Sequence, residues 1–459
     1  MPRVVLISIY ELGRQPFGLA SPAAWLRAAG CQVTSLDLSR QNLDREAVAS
    51  AELIALYLPM HTATRLALAL IPKLRQANAA AHLCAFGLYA PMNAALLREM
   101  GVGTILGGEF EERLVSLARR LDRTTVAAQV EPEISLARQQ FLVPDRAGLP
   151  ALEKYARLRL PDDRERVVGY TEASRGCRHL CRHCPIVPVY NGKFRIIAPE
   201  VVLEDIRRQV AAGAQHITFG DPDFWNGLTH ARGLVRELHR EFPALTYDVT
   251  IKVEHLLKHA EGLEELRATG CAFVTTAAES LDDQVLVRLD KHHTRADFLE
   301  LVRLFRQAEL ALAPTFVPFT PWTTLESYAD LLETLAALGL VEAVPPVQLA
   351  IRLLIPSGSR LLELPEVEAL VGRFDQRALS YRWENPDPRV EALQKDLQRM
   401  VAKMVTPQRA DRGAFFLEAW QRTQAALQEG RKKVETSRLP DFALAARATI
   451  PYLTEPWYC

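Results

Sequence analysis

No apolar run in this 459-residue chain reaches the roughly 18 residues that a membrane-spanning helix needs, so no membrane partner is expected. An excess of charge is also lacking, because 55 Lys and Arg balance 55 Asp and Glu. Nucleic-acid binders carry a basic footprint, and none is visible across the whole chain, so no nucleic-acid partner is expected either. The one local basic cluster, "GRKKVETSR" at 430–438, reads as a solvated helix end. Repeats of solenoid period and low-complexity tracts are absent, which excludes an array architecture. The start, "MPRVVLISIY", has no small-residue cleavage site and reads as a strand. These signs place the protein in the cytoplasm. There its seven cysteines stay reduced, and close-set cysteines point to a metal or to catalysis instead of a disulfide.

Three of the seven stand together in "SRGCRHLCRHCP" (174–185), where Cys177, Cys181 and Cys184 are spaced C-x3-C-x2-C. A structural zinc site needs four ligands, and His179 or His183 could supply the fourth. A second separated pair of ligands, usual for structural zinc, is missing. Fully ligated iron–sulfur clusters take four cysteines, yet Cys31, Cys84 and Cys271 lie elsewhere, most of them in predicted strands or core helices, and read as small buried hydrophobes. Besides zinc, a cluster on three thiolates with one open iron remains.

The surroundings are alternating strands and helices. Residues 1–125 carry apolar runs at 4–9, 33–38, 53–58, 82–86 and 103–106 with helices between them. The first helix is expected to start with Ser21 as N-cap and Pro22 at its first position and to end before Gly30; another is expected over 91–100. Such βα units imply a doubly wound, Rossmann-like parallel sheet, whose ligands bind at the carboxyl ends of the strands. Those ends carry "YELGRQPFG" (10–18), "PMHTAT" (59–64), "GLYAP" (87–91) and "GGEFEE" (107–112), so Tyr10, Glu11, Pro59, Leu88 and Gly108 are the expected lining of a ligand site. Residues 126–165, with several prolines and weak periodicity, read as a linker.

A second alternating series fills 166–385. Strands are expected at 167–172, 216–220, 245–250, 272–277, 312–317 and 346–354, with helices at 199–212, 227–241, 254–269, 295–309 and 324–338. This pattern gives a partial (β/α)6 barrel with its site at the carboxyl ends of the strands, and the cysteines follow the first of them. Residues 386–459 read as a helical C-terminal region with a tail ending in Cys459.

The C-x3-C-x2-C spacing after a first barrel strand resembles the radical S-adenosylmethionine (radical SAM) superfamily. The resemblance implies an iron–sulfur (4Fe–4S) cluster on Cys177, Cys181 and Cys184, whose open iron chelates SAM. It further implies reductive cleavage of SAM to a 5′-deoxyadenosyl radical, and a low-potential electron donor such as flavodoxin or ferredoxin. The residue before the last cysteine, often aromatic in the superfamily, is His183 here. By the same resemblance "GDPDF" places Gly220, Asp221 and Asp223 at the SAM amino group, "IKVEH" places Lys252 toward its carboxylate, and "AAESLDD" places Glu279 and Ser280 at the ribose. From the residues alone, the aspartates also read as turn and helix-capping groups. In "QLAIRLLIPSGS", Gln348 and Arg352 share a face, and Arg352 reads as a carboxylate clamp or as a structural ion pair.

A doubly wound domain ahead of such a barrel resembles the cobalamin-binding subgroup, which implies cobalamin at the first sheet's carboxyl edge. The Asp-x-His-x-x-Gly cobalamin signature is lacking, and a domain serving only as scaffold stays open beside it. End to end, "YELGRQPFGLASPAAWLRAAG", "CPIVPVYNGKFRI", "TFGDPDFWNG", "KVEHLLKH", "FVPFTPWTT" and "PYLTEPWYC" resemble the radical SAM proteins with a CUAEP or CCAEP tail. That resemblance implies that Cys459 is the first half of a Cys–selenocysteine pair. The expected activity is radical chemistry on a small molecule or peptide, with or without cobalamin-assisted methyl transfer. A zinc-stabilised binding module without catalysis is the alternative.

Overall fold

Apolar runs with few polar interruptions become strands covered on both faces. In the computed structural model, which describes residues 2–121, 132–404, 412–429 and 451–454, the first such sheet is built from β1 (Arg3–Ser8), β2 (Gln32–Asp37), β3 (Leu53–Tyr57), β4 (His82–Phe86), β5 (Thr104–Gly108) and β6 (Ile134–Ser135). The order is β2-β1-β3-β4-β5-β6, all pairs parallel, and every residue of β3 is buried. Ser8 aligns with Asp37 and Tyr57, Tyr57 with Phe86, and Phe86 with Leu106. All carboxyl ends therefore share one edge.

Two helix boundaries differ from expectation. The first helix spans Phe17–Ala28, so Ser21 and Pro22 lie inside it and Pro16 is the N-cap. The Ser21 hydroxyl donates to Glu111 Oε1 at 2.7 Å, a tertiary partner that replaces the local cap. The helix foreseen at 91–100 begins at Tyr89 and breaks at Asn93, whose side-chain amide bonds the Tyr89 carbonyl.

The linker carries β7 (Arg157–Arg159) and holds both units: Arg146 pairs with Asp205 at 2.8 and 3.0 Å, and reaches Gln15 Oε1 at 2.9 Å and the Tyr170 carbonyl at 2.6 Å. The second series gives β8 (Glu165–Thr171), β9 (Ser174–Gly176), β10 (Phe194–Ile196), β11 (His216–Phe219), β12 (Thr246–Thr250), β13 (Cys271–Glu279) and β14 (Leu312–Phe316). A hairpin of β15 (Phe374–Asp375) and β16 (Ser380–Tyr381) follows, and β17 (Tyr452–Leu453) comes last. The large sheet runs β14-β13-β12-β11-β8-β7-β17; β8 and β11 to β14 are parallel, β7 is antiparallel to β8, and β17 antiparallel to β7. The sheet curls into a half-barrel around one large apolar core that also takes in Phe415, Phe416 and Trp420 of the C-terminal helix Arg412–Gln428.

The expected sixth barrel strand is not a strand. Residues Pro346–Leu349 wind into a 3-10 turn, and Arg352 makes a single parallel bridge to Phe319. Gln348 supplies the reason: its side-chain oxygen accepts from the Phe316 amide at 3.0 Å, on the free edge of β14. The helix foreseen at 254–269 is likewise two, Val253–Lys258 and Gly262–Ala268. Helices Pro388–Lys403 and Arg412–Gln428 match the expected C-terminal region. The cluster at 430–438 and Cys459 lie outside the described residues. Among the described residues no helix is long and apolar enough to cross a membrane.

Candidate active site at the mouth of the half-barrel

The cysteine loop leaves β9 and returns on β10, and these two short strands pair antiparallel to close its root. Gly176, just before Cys177, has φ 75, and a Cβ there would lie 2.4 Å from both the Lys193 carbonyl and the Tyr190 ring. Only glycine lets the two stems meet. Farther out, the Arg182 amide donates to the Leu289 carbonyl at 2.9 Å, while Ser359 and Arg360 donate to the Arg182 and Leu180 carbonyls. The loop is thus clamped on both sides.

Cys181 is buried, Cys177 and Cys184 are partly so, and none of them forms a disulfide. Burial pushes the Cys184 thiol up to about 12 and raises that of Cys177; the neighbouring thiols add to both shifts. The Cys184 sulfur thus senses both others, and that of Cys177 senses Cys181. Three soft donors on one loop, two of them disfavoured as free thiolates unless a cation joins them, fit a metal cluster.

Asp223 is 1% exposed, and its Oδ2 faces His255 Nδ1 at 2.8 Å and His179 Nε2 at 3.3 Å. Burial would raise its carboxyl, but the two imidazoles outweigh burial and hold it below the usual range. Neither contact is aligned as a hydrogen bond, so these three buried atoms keep unused capacity. Ligand atoms of Cys177, His179 and Asp223 all lie within 4.8 Å of one another, which leaves zinc geometrically available. Lys252, also buried, directs Nζ at His179 Nδ1 (3.1 Å) and Glu254 (3.2 Å).

Asp221 behaves differently. Its oxygens accept from the Ala173 amide at 2.9 Å and the Ser174 hydroxyl at 2.5 Å, so it braces the start of the cysteine loop. Burial pushes its carboxyl up to about 7. At Gly220 a Cβ would lie 1.8 Å from the Tyr170 hydroxyl, so this glycine makes room for a ring. Arg352 is far from free: it holds both oxygens of Glu391 at 2.8 and 2.9 Å and stacks 3.6 Å above Trp383. It is the structural ion pair and not an open clamp.

Glu279 ends β13 at φ 66, beside a register shift, and the Ser280 amide turns back to the Ala278 carbonyl at 2.9 Å. A non-glycine residue held there stores backbone strain. The Glu279 carboxylate meets His183 Nε2 at 3.1 Å and Lys291 Nζ at 3.5 Å. Burial would raise it, yet Lys291 and His183 bring it down to about 2. Sequence reasoning missed His255 and Lys291. Both stand in short polar stretches, "KVEH" and "DKHH", that close on the mouth only through the fold.

The first sheet's carboxyl edge divides in two. On the β1 and β5 side, Tyr10, Glu11 and Gly108 are buried. A Cβ at Gly108 would lie 2.2 Å from the Ser135 carbonyl, so β6 fills that corner. On the β3 and β4 side, Pro59, Met60, Leu88, Pro91 and Met92 stay half-buried, an apolar shelf. Between the halves Ser8 Oγ, Glu11 Oε2, His61 Nδ1 and Glu109 Oε1 are buried without a hydrogen-bond partner. An apolar shelf beside unused polar atoms fits a large ring ligand fringed with amides.

Residues 171–335 match the model of the Radical SAM superfamily. A tRNA-2-methylthio-N(6)-dimethylallyladenosine synthase of Desulfosudis oleivorans is 28% identical over 180 residues, 37% of this chain and 38% of the relative. A ribosomal protein uS12 methylthiotransferase of Syntrophotalea carbinolica is 26% identical over 174 residues, 36% of this chain and 38% of the relative. The chain thus spans well under two thirds of the curated relatives it matches. Among solved structures, the cobalamin-dependent S-adenosylmethionine radical enzyme OxsB, with aqua-cobalamin and S-adenosylmethionine bound, superposes with a TM-score of 0.71 at 14% identity, covering 94% of this chain and 72% of that one. The radical S-adenosylmethionine methyltransferase TsrM of Kitasatospora setae, with tryptophan substrate and a SAM analogue bound, gives 0.60 at 18% identity over 73% and 71%. At such identities the likeness is one of fold.

Proposed function

We propose that this radical SAM enzyme holds a 4Fe–4S cluster on Cys177, Cys181 and Cys184, binds SAM beside it, and acts on a small molecule or peptide with the help of cobalamin. The observation that carries the reading is the convergence of three thiols, free of disulfides, at the mouth of a half-barrel. When bound, the cluster supplies the electron for SAM's sulfonium and the corrin a carrier for the transferred group.

The chain's own residues bind and orient. Asp223, kept anionic by His179 and His255, accepts from the SAM ammonium. Lys252 faces the carboxylate. Glu279 and Ser280 take the ribose hydroxyls, with His183 and Lys291 fixing the Glu279 carboxylate. Gly220 and Asp221 support the loop from behind. Pro59 and Leu88 would hold the cobalamin ring, and Glu11 and His61 would bond its amides. The division into 1–125, 126–165, 166–385 and 386–459, a flavodoxin or ferredoxin as donor, and a cytoplasmic site of action belong to the same proposal.

Anaerobic reconstitution with iron, sulfide and cobalamin tests it. Brown protein with about four irons per chain, a corrin spectrum and SAM turnover are expected. Tightly held zinc in place of iron would make the chain a zinc-stabilised binding module. Transfer of label from SAM to tRNA, as the name of one curated relative suggests for that protein, would replace the substrate class.

A further inference from the structure

We propose that Arg175 is the positioning residue through which the N-terminal unit sets the cysteine loop. This deepens the proposed function, since the loop is the one assigned there to the cluster. Arg175 is the middle residue of β9, two positions before Cys177, and is 6% exposed. Its side chain points away from the barrel into a cage made largely by the other unit. Its guanidinium stands 2.6 Å from Glu111, 3.5 Å from Glu109 and 2.7 Å from Glu172. It also donates to Ser21 Oγ at 3.3 Å. Rings of Phe17, Phe110 and Phe141 surround its Cζ at 5.6, 5.2 and 5.0 Å.

Of these partners, Phe17, Ser21, Glu109, Phe110 and Glu111 come from the first unit, Phe141 from the linker, and only Glu172 from the barrel. The opposite stem is held in the same way: Arg195, paired with Arg175 across the β9–β10 ribbon, donates to the Leu136 carbonyl of the linker. Both stems of the loop therefore hang on chain outside the barrel. A planar cation with donors pointing several ways is suited to this, because it fixes direction as well as distance. An ordinary inter-unit ion pair would have no reason to grip the loop's root.

The test compares Arg175→Met with Arg146→Met in the full chain. Arg146 also bridges the two units, through Gln15, Asp205 and Tyr170, but touches no residue of the loop. Hydrogen exchange of the metal-free protein should show amides of 177–193 opening about 10-fold faster or more in Arg175→Met than in Arg146→Met. Arg175→Lys, which keeps the charge but not the fork, should fall between. Equal loop exchange in the two Met variants would overturn the proposal and leave Arg175 an interface ion pair. Should Arg175→Met fail to fold, Glu111→Gln removes the nearest anion, and the same comparison decides. The readout needs no cluster, so loss of loop protection without iron uptake by the parent protein would sink the proposed function and spare this inference.

Discussion

His183 Nε2 lies 3.1 Å from Glu279 Oε1, and this contact ties the cysteine loop to the kinked end of β13. Glu279 is held down to about 2, against burial, by Lys291 and His183. The folded-state value lies below the ordinary one, so the contribution to stability is present above about pH 4.5 and is lost as pH falls toward 2. Glu279→Gln leaves Lys291, 3% exposed, without its counter-charge. Denaturant melts of the metal-free protein should show a loss of about 3 kcal/mol, and equilibrium dialysis should show weaker SAM binding.

Replacing Cys177, Cys181 or Cys184 by Ala should each abolish bound iron and SAM cleavage while circular dichroism stays unchanged. Cys31, Cys84 and Cys271 are buried in the cores of the two units, and Ala there should cost only about 1–2 kcal/mol from lost packing. Full iron content in a Cys181→Ala protein would contradict the assignment.

Much of this was legible in the chain, for reasons that differ element by element. The strands of the first sheet are unbroken apolar runs, and C-x3-C-x2-C is a local spacing, so both show without a fold. The sixth barrel strand looked equally apolar, but one glutamine side chain took the backbone amide it needed. Ser21 looked like an N-cap until a partner ninety positions away claimed its hydroxyl. Arg175 and Arg352 carry no local mark of their partners. Long-range charge pairing leaves no periodicity to read.

Burial pushes the Glu109 carboxyl up to about 7, ahead of the opposing pull of Arg175. The folded chain therefore keeps a proton that the unfolded chain releases near 4.5, and stability should fall as pH rises from about 4.5 to about 7. The slope integrates to about 3 kcal/mol. Glu109→Gln should remove it, giving a variant more stable than the parent at pH 8 in urea titrations.

Ser280→Ala should weaken SAM binding by about 0.5–1.5 kcal/mol through loss of one hydrogen bond, with the melting temperature little changed. Its hydroxyl otherwise accepts only the Asp282 amide among the described hydrogen bonds, at 3.0 Å. Unchanged affinity in a calorimetric titration of Glu279→Gln/Ser280→Ala would show that the nucleoside sits elsewhere.

The short strand β17 has a bearing on how the chain is made. Its partner β7 is translated far earlier: the Arg157 amide bonds Thr454 across 297 positions. Until the ribosome has delivered Tyr452 and Leu453, one margin of the large sheet stays bare, with Leu158 waiting for the apolar contact that Leu453 completes. A bare sheet margin is a template for pairing with other nascent chains. The time between synthesis of β7 and β17 is thus a window of aggregation, closed only once Tyr452 and Leu453 have paired, and slow or interrupted synthesis lengthens it.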